Sequence, residues 1–159
     1  MSLASAYYQA CRGCWQASYQ LTITDPEAFE RSGLGWFDRV GMRLLARWPR
    51  WLGEVYLHTS VDCLDDGRVL HTTHVRWLGL PLMRSVETFS LAEDGASFAV
   101  SGGMTGTGRV DASTTRADYD LHWRGTHIRQ VTERTAERVT VRQEGPGFRG
   151  VQVLVRQPP

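Results

Sequence analysis

His71 and Glu87 are the side chains in this sequence best suited to moving a proton. A turn at Leu78–Pro81 joins the strands that carry them. Pairing Trp77 with Met83 sets Thr73 opposite Glu87 and makes His71 and Glu87 diagonal neighbours on one face. Diagonal neighbours lie about 7–8 Å apart, within reach for long side chains. An imidazole beside a carboxylate in an apolar pocket is a general base with its orienting acid, and Tyr119 adds a donor. An isomerase, hydratase or cyclase needs such a catalytic set. The competing reading is an internal hydrogen bond that neutralises a buried carboxylate. Sequence alone leaves both open.

Other motifs carry less. Cys11-Arg12-Gly13-Cys14 has redox spacing but precedes a strand, whereas a reactive thiol needs a helix N-terminus to lower its pKa. A structural zinc needs a full ligand set, and Cys63 is the one remaining cysteine. His71 and His74 point to opposite faces of a strand, and His58 and His122 fall on the outer parity. No metal is expected. The run from Ser101 to Gly108 lacks the dinucleotide and phosphate-loop signatures, and no Gly-x-Ser-x-Gly occurs. Its glycines suit a flexible hairpin with a bulge or close backbone approach, bordering a cavity mouth. The absence of lysine excludes Schiff-base chemistry. No cofactor is expected.

The elements that must hold these residues change pattern along the chain. A first strand runs from about Gly13 to Thr24. Asp25-Pro26-Glu27 opens a helix, with Asp at the N-cap and Pro at the first helical position, and Ser32-Gly33 interrupts it. A second helix covers about Gly35 to Trp48, with Phe37, Val40, Leu44 and Trp48 at helical spacing. Arg39, Arg43 and Arg47 recur on its other side, Trp36 and Trp51 lie near it, and Pro49 ends it. From Glu54 the period becomes that of strands, expected at 54–64, 68–77, 82–92, 96–102, 106–112, 116–123, 126–134, 137–144 and 148–156. Short connections between successive strands mean an antiparallel meander, and about ten strands (eight to ten) lose their edges most easily in a closed up-and-down barrel.

Parity then assigns an inner face. It carries Leu57, Thr59, Val61, Cys63, Val69, His71, Thr73, Val75, Trp77, Met83, Ser85, Glu87, Phe89, Phe98, Val100, Tyr119, Leu121, Trp123, Ile128, Gln130, Thr132, Val139, Val141 and Gln143. In the last strand Val151, Val153 and Val155 are expected inside, with Arg149 and Arg156 outside. The turns fit this assignment. Arg124-Gly125 as a two-residue loop pairs Leu121 with Ile128, and Asp94-Gly95 as a type I′ loop pairs Leu91 with Phe98. A three-residue loop at Asp65-Asp66-Gly67, with Gly67 left-handed, pairs Val61 with His71.

Gly13-Cys14-Trp15 opening the first strand, Trp123-Arg124-Gly125 in a late hairpin, and a helix-turn-helix between the first two strands resemble the calycin group. In strand count and helix placement the chain most resembles intracellular fatty-acid-binding proteins. The resemblance implies an all-β barrel with a helical lid, here about 26–50, over an apolar ligand. It also implies an Arg-x-Tyr in the last strand to anchor a ligand carboxylate, where this chain has Val151-Gln152-Val153-Leu154-Val155-Arg156. With no arginine on the inner face, a buried carboxylate would be expensive, so a free fatty acid is a poor ligand.

Length and charge agree with one barrel domain, residues 1–159. The 18 basic residues, all Arg, nearly balance 17 acids, which argues against nucleic acid as a partner. No secretory signal or apolar spanning helix is visible and the three cysteines are an odd count, so a cytoplasmic protein is expected. The many polar groups on the inner face imply a cavity rather than a packed interior. The expected function is binding of a small, mostly apolar ligand with neutral polar groups, by Trp15, Thr59, His71, Thr73, Glu87, Tyr119, Trp123, Gln130 and Gln143. An enzyme using His71 and Glu87 is the alternative, and a packed barrel that binds a protein is the third. The basic lid helix also suits weak contact with an anionic membrane surface. Oligomeric state is not legible.

Overall fold

A computed structural model describes residues 2–48, 55–64 and 67–158. The expected helix end at Pro49, Trp51, the strand start at Glu54 and the loop residues Asp65 and Asp66 lie outside the described residues. Ten antiparallel strands form a closed barrel: β1 (Gly13–Ile23), β2 (Val55–Cys63), β3 (Arg68–Trp77), β4 (Leu80–Leu91), β5 (Ser97–Gly102), β6 (Thr105–Val110), β7 (Arg116–Trp123), β8 (Thr126–Arg134), β9 (Arg138–Gly145) and β10 (Phe148–Arg156). Each pairs with its neighbour in sequence, and β10 returns to β1, so no strand keeps a free edge.

The turns set the register. Arg124 and Gly125 both have positive φ (49° and 80°), as a two-residue type I′ loop requires, and Leu121 faces Ile128. Gly67 is left-handed (φ 79°) and Val61 faces His71. The β3–β4 turn differs from expectation. Leu78 (φ 48°) and Gly79 (φ 81°) form the loop, Trp77 pairs with Leu80, and the register shifts between Val75 and Arg76. Pro81 therefore lies in β4 rather than in the turn, and His71 faces Glu87 directly instead of diagonally.

The Asp94-Gly95 turn keeps the expected Leu91–Phe98 pair but is not type I′. Only Gly95 has positive φ there, because Asp94 caps the loop with its side chain. Its carboxyl accepts from the N–H groups of Ala96 (3.0 Å) and Ser97 (2.8 Å) and from the Ser97 hydroxyl (2.7 Å). These bonds, the Ser97 hydroxyl's foremost, hold the Asp94 carboxyl down at about 2. A carboxyl depressed by folding adds stability that is complete above its unfolded value, 3.8, and disappears as pH falls through about 2. Melting temperature measured against pH should therefore show a shallower acid limb over that window for Asp94→Asn than for the wild type.

Helices close both ends of the barrel. α2 (Pro26–Glu30) and α3 (Trp36–Ala46) connect β1 to β2. Asp25 caps α2 by accepting from the N–H groups of Glu27 and Ala28, both at 3.0 Å. The lid is tied to the barrel where Thr24 N–H donates to Gly147 C=O (2.8 Å) and where Asp38 pairs with Arg124. Its apolar stripe is not the expected one. Phe37 and Leu44 are exposed, and the buried side of α3 uses Met42 with Leu45 packed beside it. Arg39 and Arg43 pair with Glu30, so these basic residues lock α3 to α2 rather than form a free cationic face.

A helix without a sequence expectation, α1 (Leu3–Cys11), plugs the other end. Ser2 caps it by accepting from Ser5 N–H (3.1 Å), and Ala4, Tyr7, Tyr8 and Cys11 are buried. Ala4 N–H donates to Gly95 C=O at 2.9 Å, fixing α1 to the β4–β5 turn. Because β1 runs from α1 to α2, the plug and the lid lie at opposite ends. Among the described residues no helix is long and apolar enough to cross a membrane.

The last strand reverses the expected parity. Phe148, Gly150 and Leu154 are buried, whereas Val151 and Val155 are exposed. The valines made both faces of β10 look apolar, and register with β1 decides between them: Tyr19 pairs with Gln152, and its ring lies where a Cβ at Gly150 would stand. Arg156 is thereby on the inner parity, opposite Trp15. It still does not enter the interior. Its guanidinium lies 4.4 Å from the Trp15 ring centre and donates to the Ala10 and Arg12 carbonyls (2.8 and 2.9 Å), satisfying the end of α1.

Candidate functional site

The barrel is hollow. A cavity of about 430 Å3 is lined by residues from α1, α3 and most strands. Trp15, Thr59, His71, Thr73, Glu87, Tyr119, Trp123, Gln130 and Gln143 all line it. Exposed lining residues Phe37, Met83 and Arg124 mark its mouth under α3.

Polar groups on the wall fall into three clusters. In the first, His71 Nδ1 lies 3.3 Å from Glu87 Oε2, and the Ser85 hydroxyl donates to Glu87 Oε1. Glu87 is 2% exposed, so both carboxyl oxygens are matched where water is excluded. Gly103 belongs to this arrangement: a Cβ there would strike Ser85 Oγ and Glu87 Oε1, so the glycine-rich hairpin makes the expected close approach. Thr59 and Thr73 share a hydrogen bond one row toward the mouth (3.3 Å).

The second cluster crosses β1, β9 and β8. Tyr19 donates to Gln143 Oε1 (3.3 Å), Gln143 Nε2 to Gln130 Oε1 (2.8 Å), and Gln130 Nε2 to Thr132 (3.4 Å). The third lies against α1, where the Tyr8 and Tyr119 hydroxyls are 3.3 Å apart. Tyr119 is therefore joined to Tyr8, not to His71 or Glu87. Burial pushes the Tyr19 and Tyr119 hydroxyls up to about 12 and the Cys11 thiol to about 11, and raises the Tyr7 and Tyr8 hydroxyls well above their ordinary value. All remain protonated near neutrality. Cys11 ends a helix rather than starting one and Cys14 is exposed on β1, so nothing activates Cys-x-x-Cys as a redox pair. No metal-binding group of His, Cys, Asp and Glu occurs among the described residues.

The cavity's ionisable groups come already engaged. Contrary to expectation one arginine, Arg124, does line it, but it is bound to Asp38 and stacked on Trp123 (5.6 Å). Arg134 is on the inner parity too, and it stacks on Tyr7 (5.6 Å) instead of lining the cavity.

Sequence reasoning missed Tyr7, Tyr8 and Cys11 because α1 was not foreseen, and Gln152 and Leu154 because β10 was read on the wrong face. A signal for α1 was present: Ala4, Tyr7, Tyr8 and Cys11 stand at i, i+3, i+4 and i+7 behind a capping serine.

Comparison with solved structures bears on the architecture. The chain matches fatty-acid-binding protein 1 of Echinococcus granulosus with a TM-score of 0.55 at 10% identity, over 94% of this chain and 99% of that one. The fold is that of the fatty-acid-binding proteins. A second structure with this fold, the REP1-NXSQ fatty acid transporter, matches with a TM-score of 0.50 at 10% identity, over 95% and 98% of the two chains. No family model and no curated protein matches the sequence. The likeness is one of fold, and at 10% identity the residues within it are this chain's own.

Proposed function

We propose that this protein binds a small, mostly apolar molecule bearing neutral polar groups inside the barrel. The observation that carries the reading is that the ionisable groups of a cavity of about 430 Å3 are already engaged: His71 is hydrogen-bonded to Glu87, and Arg124 is paired with Asp38. A ligand without net charge leaves both pairs intact, whereas a carboxylate would be buried with no spare cation among the described residues that line the cavity. The amide and hydroxyl groups of Gln130, Gln143, Tyr19 and Tyr119 supply neutral hydrogen bonds, and the two fatty-acid proteins of like fold supply precedent for apolar cargo. The compartment we assign is the cytoplasm, where the free cysteines would stay reduced. Titration with Nile red, an uncharged apolar dye, tests the reading. Saturable, blue-shifted emission at one dye per chain is expected, and no uptake would refute it.

The direct contact of His71 with Glu87 favours one second reading, proton-transfer catalysis on the bound ligand. His71→Ala and Glu87→Ala decide it. A loss of turnover larger than the loss of affinity marks an enzyme, and a loss of affinity alone excludes one.

A further inference from the structure

We infer that the ligand enters with a hydrogen-bond-donating head group inward, held by His71 Nε2, so that the barrel prefers an apolar alcohol or N–H compound to the matching carboxylate. This rests on the binding reading above and names the chemistry of the head.

The argument begins with the tautomer of His71. A carboxyl group at Nδ1 holds the ring proton there and leaves the lone pair of a neutral ring on Nε2. Nε2 has no hydrogen-bond partner among the described residues. The His71 side chain is 30% exposed on the cavity wall and Glu87 only 2%, so the ligand meets the imidazole with the acid behind it. Ser85 and the close backbone at Gly103 restrain the Glu87 carboxyl, which in turn fixes the ring. The cavity therefore presents an oriented acceptor to whatever lies beside it.

Register gives the direction. Gly13, next to α1, pairs with Val61, Val61 with His71, and His71 with Glu87, which places the acceptor toward the plug, one row from Val69 and from the Phe89 that packs on Tyr8 of α1. Beyond the Thr59–Thr73 row, the wall of β2–β4 and α3 toward the mouth is apolar, with Leu45, Val55, Val75 and Met83. At the plug itself the Tyr7 hydroxyl is buried beside Tyr119 and Cys11. A hydroxyl or carboxamide offers both a proton and a lone pair, while an ionised carboxylate has no proton to give and would face the Glu87 carboxyl. α1 carbonyls occupy Arg156, and Arg134, whose buried Nε has no hydrogen-bond partner among the described residues, stacks on the Tyr7 ring and does not line the cavity.

Displacement of Nile red by dodecanol, dodecyl methyl ether and dodecanoate tests the inference. The ether keeps the chain and the oxygen of the alcohol but lacks the donor. Dodecanol is expected to compete roughly 3- to 10-fold better than the ether and at least about 10-fold better than dodecanoate. His71→Phe should bring the alcohol-to-ether ratio to about one. Glu87 acts through His71 as a positioning residue, so Glu87→Gln should lower the same ratio. Each variant is read as a ratio of two ligands on one protein, which cancels a general change in affinity or folding. An alcohol-to-ether ratio near one in the wild type, a preference for dodecanoate, or a ratio unmoved by His71→Phe would overturn the inference while leaving apolar binding intact. Failure of the dye and all three competitors to bind would instead remove the binding reading on which it rests.

Discussion

Trp15→Ala is expected to cost about 3–5 kcal/mol of folding stability, as truncation of a buried tryptophan does in other cores. The side chain is 2% exposed and joins three parts of the molecule. Its indole N–H donates to the Cys11 carbonyl at 2.8 Å, which secures the end of α1. Its ring supports the Arg156 guanidinium, which itself holds Ala10 and Arg12. Its edge lines the cavity. Truncation would leave a void, an unpaired helix carbonyl and a guanidinium without its stacking partner. Urea denaturation measures the loss, and Trp15→Phe should lie between the two because it keeps a ring but not the donor. A cost for Trp15→Ala below about 1 kcal/mol would mean that α1 does not depend on this residue.

Thr73→Trp is expected to lower ligand affinity by at least about 100-fold while leaving the barrel folded. Thr73 lies on the cavity wall one row above His71, and its hydroxyl bonds the neighbouring Thr59. Overpacking a dense core normally destabilises by about 1–3 kcal/mol through forced strain. Here the added indole can project into a void of about 430 Å3, where it takes the ligand's place. Affinity comes from dye titration and stability from denaturation of the same preparation. Undiminished binding in a folded Thr73→Trp protein would put the ligand elsewhere.

Most of the barrel could be read from the sequence because an antiparallel strand writes its face into alternate residues. His71, Thr73, Glu87, Tyr119 and Gln143 came to one wall by parity alone, and the Arg124-Gly125 loop fixed the facing of its strands. Parity failed in β10, where valine alternates with glycine, glutamine and leucine and hydropathy does not separate the faces. It failed differently in α3. There the exposed Phe37 and Leu44 share helical spacing with true core positions, and an exposed apolar rim at a cavity mouth reads like a buried stripe. The direct facing of His71 and Glu87 depended on which two residues of Leu78-Gly79-Leu80-Pro81 take positive φ, a backbone choice that proline obscured. Pairing of Arg124 with Asp38 spans 86 positions, and no local pattern encodes a contact of that range.

Native mass spectrometry of the protein incubated with dodecanol tests the central claim most directly. The wild type should carry one dodecanol per chain, and Thr73→Trp, at equal concentration and still folded, should carry none. A wild type without the added mass, or equal loading of both proteins, would contradict binding inside the barrel.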